Sequence, residues 1–353
     1  SRYGSNDHCV AQLYASNSQT MTRKEFFNIA VVAGGYSGEL EISLLSAANL
    51  MRVLATQPRI KPYLVILERQ GWSLSLDDKQ YPVDKNDFTA TLPEGEKLHF
   101  DYAFITIHGT PGENGLLQGY FDMLQIPYNT GGVFTEALTF SKYHCNRYLT
   151  GLGFRTTQGV RIEKEEPIID AAALVARYGL PLFVKPNAGG SSLATTKVSC
   201  QNELQAAVDC AFSADNAVLI EQFVAGREVT CGCVVTREQC LCLPLSEVVV
   251  PSNTFFDYKA KYYGASREIT PAQIDPAIAE EIQRITRSVA RKIDAHGIIR
   301  IDYIIPNDGK PVLLEVNTTP GMTDASFIPQ QAAAAGLDLG SLLSSIIKDS
   351  LPL

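Results

Sequence analysis

The sequence predicts three α/β or α+β domains, the first built around an open parallel sheet. Three observations carry this. At 353 residues the chain is longer than one hydrophobic core commonly serves. Up to about Gly131 it runs strand, glycine turn, helix and then repeats, the pattern of a sheet that takes ligands at its strand carboxyl ends. Beyond Gly131-Gly132 the texture changes to short apolar strands mixed with amphipathic helices. Composition narrows the classes further. A hydrophobic content of 45% excludes disorder, and no apolar run approaches the roughly 18 to 20 residues of a membrane span. With 30 basic against 38 acidic residues, the net charge of −8 excludes a general nucleic-acid coat.

Residues 1–22 are polar, lack periodicity and contain no apolar signal core. A natural start is expected at Met21, with the preceding residues a tag, a leader or a disordered extension. From Asn28, NIAVVAGG reads as a buried strand ending in glycines, and EISLLSAANLMRVL as an amphipathic helix. Strands follow at YLVILE (63–68) and YAFITIHG (102–109), then a turn over Thr110–Gly115 and the helix LLQGYFDMLQ. These form an N-terminal domain over 23–134. One helix over 136–153 opens a central domain, 135–228, with strands GVRIE, PLFVKP and AVLIEQFV and a helix over 168–179. The C-terminal domain, 229–353, takes strands CGCVV, CLCLP, SEVVVP, IIRIDYII and PVLLEVN, with helices near 275–296 and 336–350.

Eight cysteines are too sparse for a disulfide scaffold, so reduced thiols and a cytoplasmic setting are expected. Cys231-Gly-Cys233 and Cys240-Leu-Cys242 invite a zinc reading, but the usual spacing is about C-x2-4-C. Two apolar strands around the turn Thr236–Gln239 put both thiols of each pair on one strand face, as small core residues.

The most informative segment is IIRIDYIIPNDGKPVLLEVNTTPG, 298–321. Asp308-Gly309 suits a two-residue hairpin turn, which sets Asp302 opposite Glu315 and Arg300 opposite Asn317. All four then share one sheet face, with Ile299, Ile301, Tyr303, Leu314 and Val316 on the other. Facing carboxylates repel unless a cation lies between them, and oxygen donors without His or Cys suit Mg²⁺. The competing reading is a solvated polar face, disfavoured by strands so rich in Ile, Val and Leu. A second segment places Lys185 at a strand end before Pro-Asn-Ala-Gly-Gly-Ser-Ser, which suits either a lid gripping phosphate through its amides or an ordinary turn.

Taken in order, GGYSGELEISLLSA, IHGTPGENGLLQGYFDMLQIPYNTGG, LPLFVKPNAGGSS, VLIEQFVAGRE, FFDYKAKY and RIDYII…LLEVNTTPGMT resemble the D-alanine–D-alanine ligases of the ATP-grasp superfamily. The resemblance spans about residues 28 to 350. It implies a three-domain ATP-grasp fold in which ATP phosphorylates one D-alanine carboxylate and a second D-alanine attacks the acylphosphate. It further implies that Asp302, Glu315 and Asn317 hold two Mg²⁺ ions (Mn²⁺ being an alternative) and that Arg300 steadies the tetrahedral oxyanion. Lys142, Lys185 and Lys261 match phosphate contacts, although Lys142 alone reads as an exposed helix residue. Glu221, Gln222 and Val224 match the adenine grip, made chiefly by backbone, and Glu228 the ribose acid. Glu39 matches the acceptor of the first substrate's ammonium, against a reading as a first-turn helix acid. Ser191 and Tyr262 complete a hydrogen-bonded set with Glu39. His108, Glu113, Ser326 and Phe327 match the substrate cavity.

Phe256, Ala194, Gln222 and Phe327 depart from the family pattern. Phe327 puts the second substrate in question, leaving open another small D-amino or hydroxy acid. From a different class, the alternative is a nucleotide-binding protein without catalysis. The resemblance also implies a cytoplasmic homodimer, with no nucleic-acid or membrane partner.

Overall fold

The computed structural model describes residues 24–189, 194–249 and 266–353. The extension expected over 1–22, together with Ser191, Phe256, Lys261 and Tyr262, lies outside the described residues. The first sheet contains β1 (Phe27–Gly34), β2 (Ile60–Glu68), β3 (Gly71–Leu76), β4 (Lys79–Asp84), β5 (Thr89–Thr91), β6 (Lys97–Leu98) and β7 (Tyr102–Ile105), in the order β6-β5-β4-β3-β2-β1-β7. Its parallel part is β2-β1-β7, and an antiparallel meander extends it from β2 to β6. Helix α1 (Leu40–Leu54) follows β1, and α2 (Leu116–Leu124) follows β7. The strand expected over 102–109 ends at Ile105. Gly109 turns the chain there with φ +79°, and a Cβ at that position would sit 2.9 Å from Ser37 Oγ.

Helix α3 (Val133–Phe140) and helix α4 (Lys142–Gly151) replace the single helix expected over 136–153. The break falls at Ser141, which is extended. Asn187 causes it by offering competing hydrogen bonds. Its Nδ2 donates to Ser141 Oγ at 2.9 Å, and its Oδ1 accepts from the Tyr143 N–H at 3.0 Å. Lys142 therefore opens α4 instead of riding an exposed helix face.

The second sheet is antiparallel, in the order β10-β9-β11-β8, from β8 (Gly159–Glu163), β9 (Leu182–Pro186), β10 (Thr196–Val198) and β11 (Ala217–Gln222). Helices α5 (Ala171–Tyr178) and α6 (Leu204–Ala211) accompany it. The third sheet contains β12 (Arg227–Val235), β13 (Cys240–Cys242), β14 (Ser246–Val249), β15 (Arg267–Ile269), β16 (Gly297–Ile305) and β17 (Val312–Asn317). Its order is β15-β14-β12-β16-β17, with β13 pairing β12. Helix α7 (Pro276–Lys292) packs on it, and α8 (Phe327–Ala334) and α9 (Leu339–Lys348) close the chain.

The β16–β17 hairpin brings Asp302 opposite Glu315 and Arg300 opposite Asn317, as expected, but not by the expected turn. Near the loop the register is Tyr303 with Leu313 and Ile304 with Val312, one position out of step with a two-residue turn at Asp308-Gly309, and residues 305–311 lie between the last paired positions. A bulge between Asp302 and Tyr303 restores the register farther along. Leu314 is the extra residue. It lines the cleft, and Leu313 takes the core position expected of Leu314.

The cores do not follow the three sheets one to one. Ile29, Val31 and Leu50 share a cluster with Ile328, Leu343 and Ile346, so the N-terminal sheet and the C-terminal helices bury each other. The second sheet keeps a cluster drawn only from residues of its own lobe. Among the described residues no helix is long and apolar enough to cross a membrane.

Candidate active site

A cleft of about 800 Å³ lies between the second and third sheets and is closed at one end by loops of the first. Its lining includes Glu39, His108, Glu113, Lys142, Lys185, Glu221, Gln222, Val224, Glu228, Arg300, Asp302, Glu315 and Asn317. Residues expected to act together from six separate segments thus meet in one place.

On the third sheet, alternation of the strand aims Arg300 and Asp302 into the cleft and Ile299, Ile301 and Tyr303 into the core. Arg300 holds Asp302 in a two-pronged ion pair, Nε to Oδ1 at 2.9 Å and Nη2 to Oδ2 at 3.0 Å. Lys142 Nζ lies 3.6 Å from Glu315 Oε2 and donates to the Gly189 carbonyl at 2.5 Å. Asn317 Oδ1 accepts the Thr319 N–H at 3.1 Å, which fixes its amide. The donors Asp302, Glu315 and Asn317 are all oxygen, on one face, with no thiol or imidazole among them. This set fits a hard divalent cation such as Mg²⁺.

On the second sheet, Lys185 pairs with Glu221, whose other oxygen accepts from Thr157 Oγ1. Both oxygens of the Glu221 carboxylate are therefore engaged. The N–H groups of Gln222 and Phe223 donate to the carbonyls of Gln158 and Pro181. Among the described residues the Val224 amide has no such partner. Phe183 and Phe223 stack at 5.6 Å between centroids, with Lys197 Nζ 4.2 Å over Phe223. The sequence reading missed these three. Strand parity could have found two of them, since Phe183 lies two residues before Lys185 and pairs in register with Lys197. Ala194 has φ +56°, the left-handed region that favours glycine, at the position noted as a departure.

The first sheet supplies the acidic end. Glu39 precedes α1 but its side chain makes no capping bond to it, and its carboxylate lines the cleft. Burial raises its pKa, Lys142 opposes that rise, and Glu315 adds to it. Glu113 Oε2 accepts the Gly109 N–H at 2.7 Å, and burial pushes this carboxyl up to about 7. Burial lowers His108, a bond to the Thr319 backbone opposes this, and Arg300 adds to the lowering. Its Nε2 is buried without a hydrogen-bond partner among the described residues. A bound ammonium would relieve the first two groups and a hydrogen-bonding ligand the third.

Ser326 and Phe327 stand just outside the lining. The Phe327 ring lies 5.4 Å from the Arg300 guanidinium, and Ser326 Oγ is held by Thr323 Oγ1 at 2.7 Å. The four paired-strand cysteines face the core with α7 and not the cleft.

Two family models match the chain, described as D-ala D-ala ligase N-terminus over residues 28–131 and D-ala D-ala ligase C-terminus over 152–348. The D-alanine–D-alanine ligase of Porphyromonas gingivalis strain W83 is 53% identical over 324 residues, covering 92% of this chain and 97% of that protein. That of Parabacteroides distasonis is 48% identical over 325 residues, with the same coverages of 92% and 97%. Among solved structures, D-alanyl-alanine synthetase A from Vibrio cholerae superposes with a TM-score of 0.83 at 26% identity, over 92% of this chain and 98% of that one. The VanG D-Ala:D-Ser ligase from Enterococcus faecalis gives a TM-score of 0.81 at 27% identity, over 92% and 100%.

Proposed function

The chain belongs to the D-alanine–D-alanine ligase family, and from that premise we propose how its cleft works. The enzyme is an ATP-dependent ligase that joins two D-alanines for peptidoglycan synthesis. One observation carries the assignment of roles: phosphate-type cations and oxygen-donor metal ligands from separate segments line the same cleft as half-buried carboxylates suited to an ammonium.

ATP lies along the second sheet, its adenine against Phe183 and Phe223 and the Val224 amide, its ribose toward Glu228. Lys142 and Lys185 reach the phosphates, with Lys261 and Ser191 as further contacts. Asp302, Glu315 and Asn317 would hold two Mg²⁺ ions, or Mn²⁺ in their place, which would neutralise phosphate charge. Glu39 receives the first D-alanine's ammonium, so the carboxylate oxygen of that D-alanine faces the γ-phosphorus. That oxygen bonds to phosphorus as the bond to ADP breaks. His108 and Glu113 line the second substrate's space, with Ser326 just beyond it toward that substrate's carboxylate. Its amine attacks the acyl carbon, Arg300 stabilises the oxyanion, and phosphate leaves as the amine gives up a proton. Tyr262, with Ser191 and Glu39, closes the site.

Incubation with ATP, Mg²⁺ and D-alanine should release ADP, phosphate and the dipeptide. No D-alanine-dependent phosphate release from folded protein would sink the assignment. Glu315→Ala should lower turnover to background by leaving the metals under-ligated, and unchanged turnover would remove the metal role. Phe327 beside Arg300 favours testing a second reading, in which the second substrate is another small D-amino or hydroxy acid. A panel of D-serine, D-lactate and glycine against D-alanine decides it. The family resemblance also supports a cytoplasmic homodimer, for which light scattering should return twice 38.5 kDa.

A further inference from the structure

Behind the catalytic sheet runs a row of thiols that ligation does not use. Cys231 and Cys233 of β12 are buried against α7, and Cys240 and Cys242 of β13 are half-buried beside them. All are free. Cys233 Sγ lies 3.2 Å from Cys240 Sγ and 3.7 Å from Cys242 Sγ. Residues two apart on a strand are separated by about 6.5 Å, so these sulfurs form a ladder along the hairpin and do not surround one point. That geometry disfavours a metal cage, and no cluster of metal-binding side chains occurs among the described residues.

Register identifies the pair able to bond. Cys233 is directly opposite Cys242. The Thr236 N–H donates to Gln239 and the Leu243 N–H to Gly232. Bonded and non-bonded pairs alternate in an antiparallel ribbon, which makes Cys233–Cys242 a non-bonded pair with Cα atoms about 4.5 Å apart. That lies inside the window for a disulfide, roughly 4.4 to 6.8 Å, whereas the diagonal Cys240 is about 7 to 8 Å away. Hydrogen bonds with Cys231 and Cys233, with Arg287 of α7 behind them, hold the Cys242 thiol below its ordinary range.

We propose that Cys233 and Cys242 form a redox-active dithiol that exchanges with small-molecule disulfides. The Cys242 thiolate attacks one sulfur of an external disulfide, making a mixed disulfide and releasing one thiolate. Cys233 then attacks the Cys242 sulfur, its proton passing to the second departing thiolate. Two protein thiols are oxidised to one disulfide, and the external disulfide is reduced to two thiols. The half-buried thiol is the entry point and the buried one the resolving partner.

The test treats the native full-length chain with oxidised glutathione, quenches with acid, alkylates the remaining thiols and maps peptides by mass. The exposed Cys200 and Cys210 report reagent access. A Cys233–Cys242 crosslink is expected, reversed by dithiothreitol, lost in Cys242→Ala, and retained in Cys240→Ala and Cys231→Ala. Should the Cys242→Ala chain fail to fold, the wild-type digest decides alone. Glutathione on Cys200 and Cys210 with no crosslink overturns the proposal. So does a crosslink through Cys240 instead, or one that appears only after unfolding in guanidinium.

Discussion

Burial of Glu113 makes pH a direct probe of the acidic end of the cleft. Its carboxyl is raised from 4.5 to about 7. Below pH 4.5 the group is protonated folded and unfolded alike. Between 4.5 and 7 the unfolded chain loses the proton first, so the folded state binds more protons and stability falls as pH rises. The full span is worth about 3 kcal/mol. Ligand-free Glu113→Gln should therefore match wild type in urea melts at pH 4.5 and exceed it by up to that amount at pH 8. Equal stabilities at pH 8 would show that the carboxyl is not held protonated. Nothing in HGTPGENG announces this shift, because it comes from the burial the surrounding fold imposes and from the Glu39 charge, against the opposing bond from the Gly109 N–H. Asp302 and Glu315 were legible instead, since strand parity and opposition need only residue numbers. Glu221 lay between these cases. Its place at a strand end was readable, but its engagement with Thr157 and Lys185 required the neighbouring strands.

At the scale of elements, Asn187 is the joint that positions Lys142. Its side chain bonds Ser141 and Tyr143, and its carbonyl accepts the Lys142 N–H at 3.1 Å. Asn187→Ala removes two side-chain bonds at a residue only 4% exposed, a loss of about 1 to 3 kcal/mol. The KM for ATP should rise about tenfold, which corresponds to 1.4 kcal/mol, while the kcat for D-alanine changes less. An unchanged KM would mean that Lys142 is positioned by its contacts with Gly189 and Glu315 alone. The helix break at Ser141 was invisible in EALTFSKYHCNRYLTGLG because the residue that causes it is 46 positions away. The β16–β17 hairpin teaches a related lesson. Asp308-Gly309 resembles a two-residue turn, yet the pairing next to the loop is one position out of step and the bulge at Leu314 compensates. The carboxylates end up opposed as expected, while Leu313 and Leu314 exchange faces.

At the scale of the molecule, the cores divide the protein into a larger body and a smaller lobe. The N-terminal sheet and C-terminal helices share apolar residues, while the second sheet relies on its own. Amides of β8 to β11 should exchange with deuterium faster than those of β1, β12 and β16, and should slow when Mg²⁺ and nucleotide are added. Uniform protection across both bodies, or no response to nucleotide, would contradict a separable lobe. The succession of three sheets was legible in the order of strands and helices. The shared core was not, because it depends on long-range contacts such as Asn49 Nδ2 to the Met322 carbonyl at 2.6 Å. That contact belongs to α1, whose body lies in the shared core and whose leading end carries Glu39. With Glu39 in its proposed role, evolution of this enzyme has little room to retune substrate recognition there separately from heat resistance. A lineage adapting to warmer surroundings by repacking Ala47, Leu50 or Leu54 shifts the helix end that carries Glu39, and must compensate in the same helix.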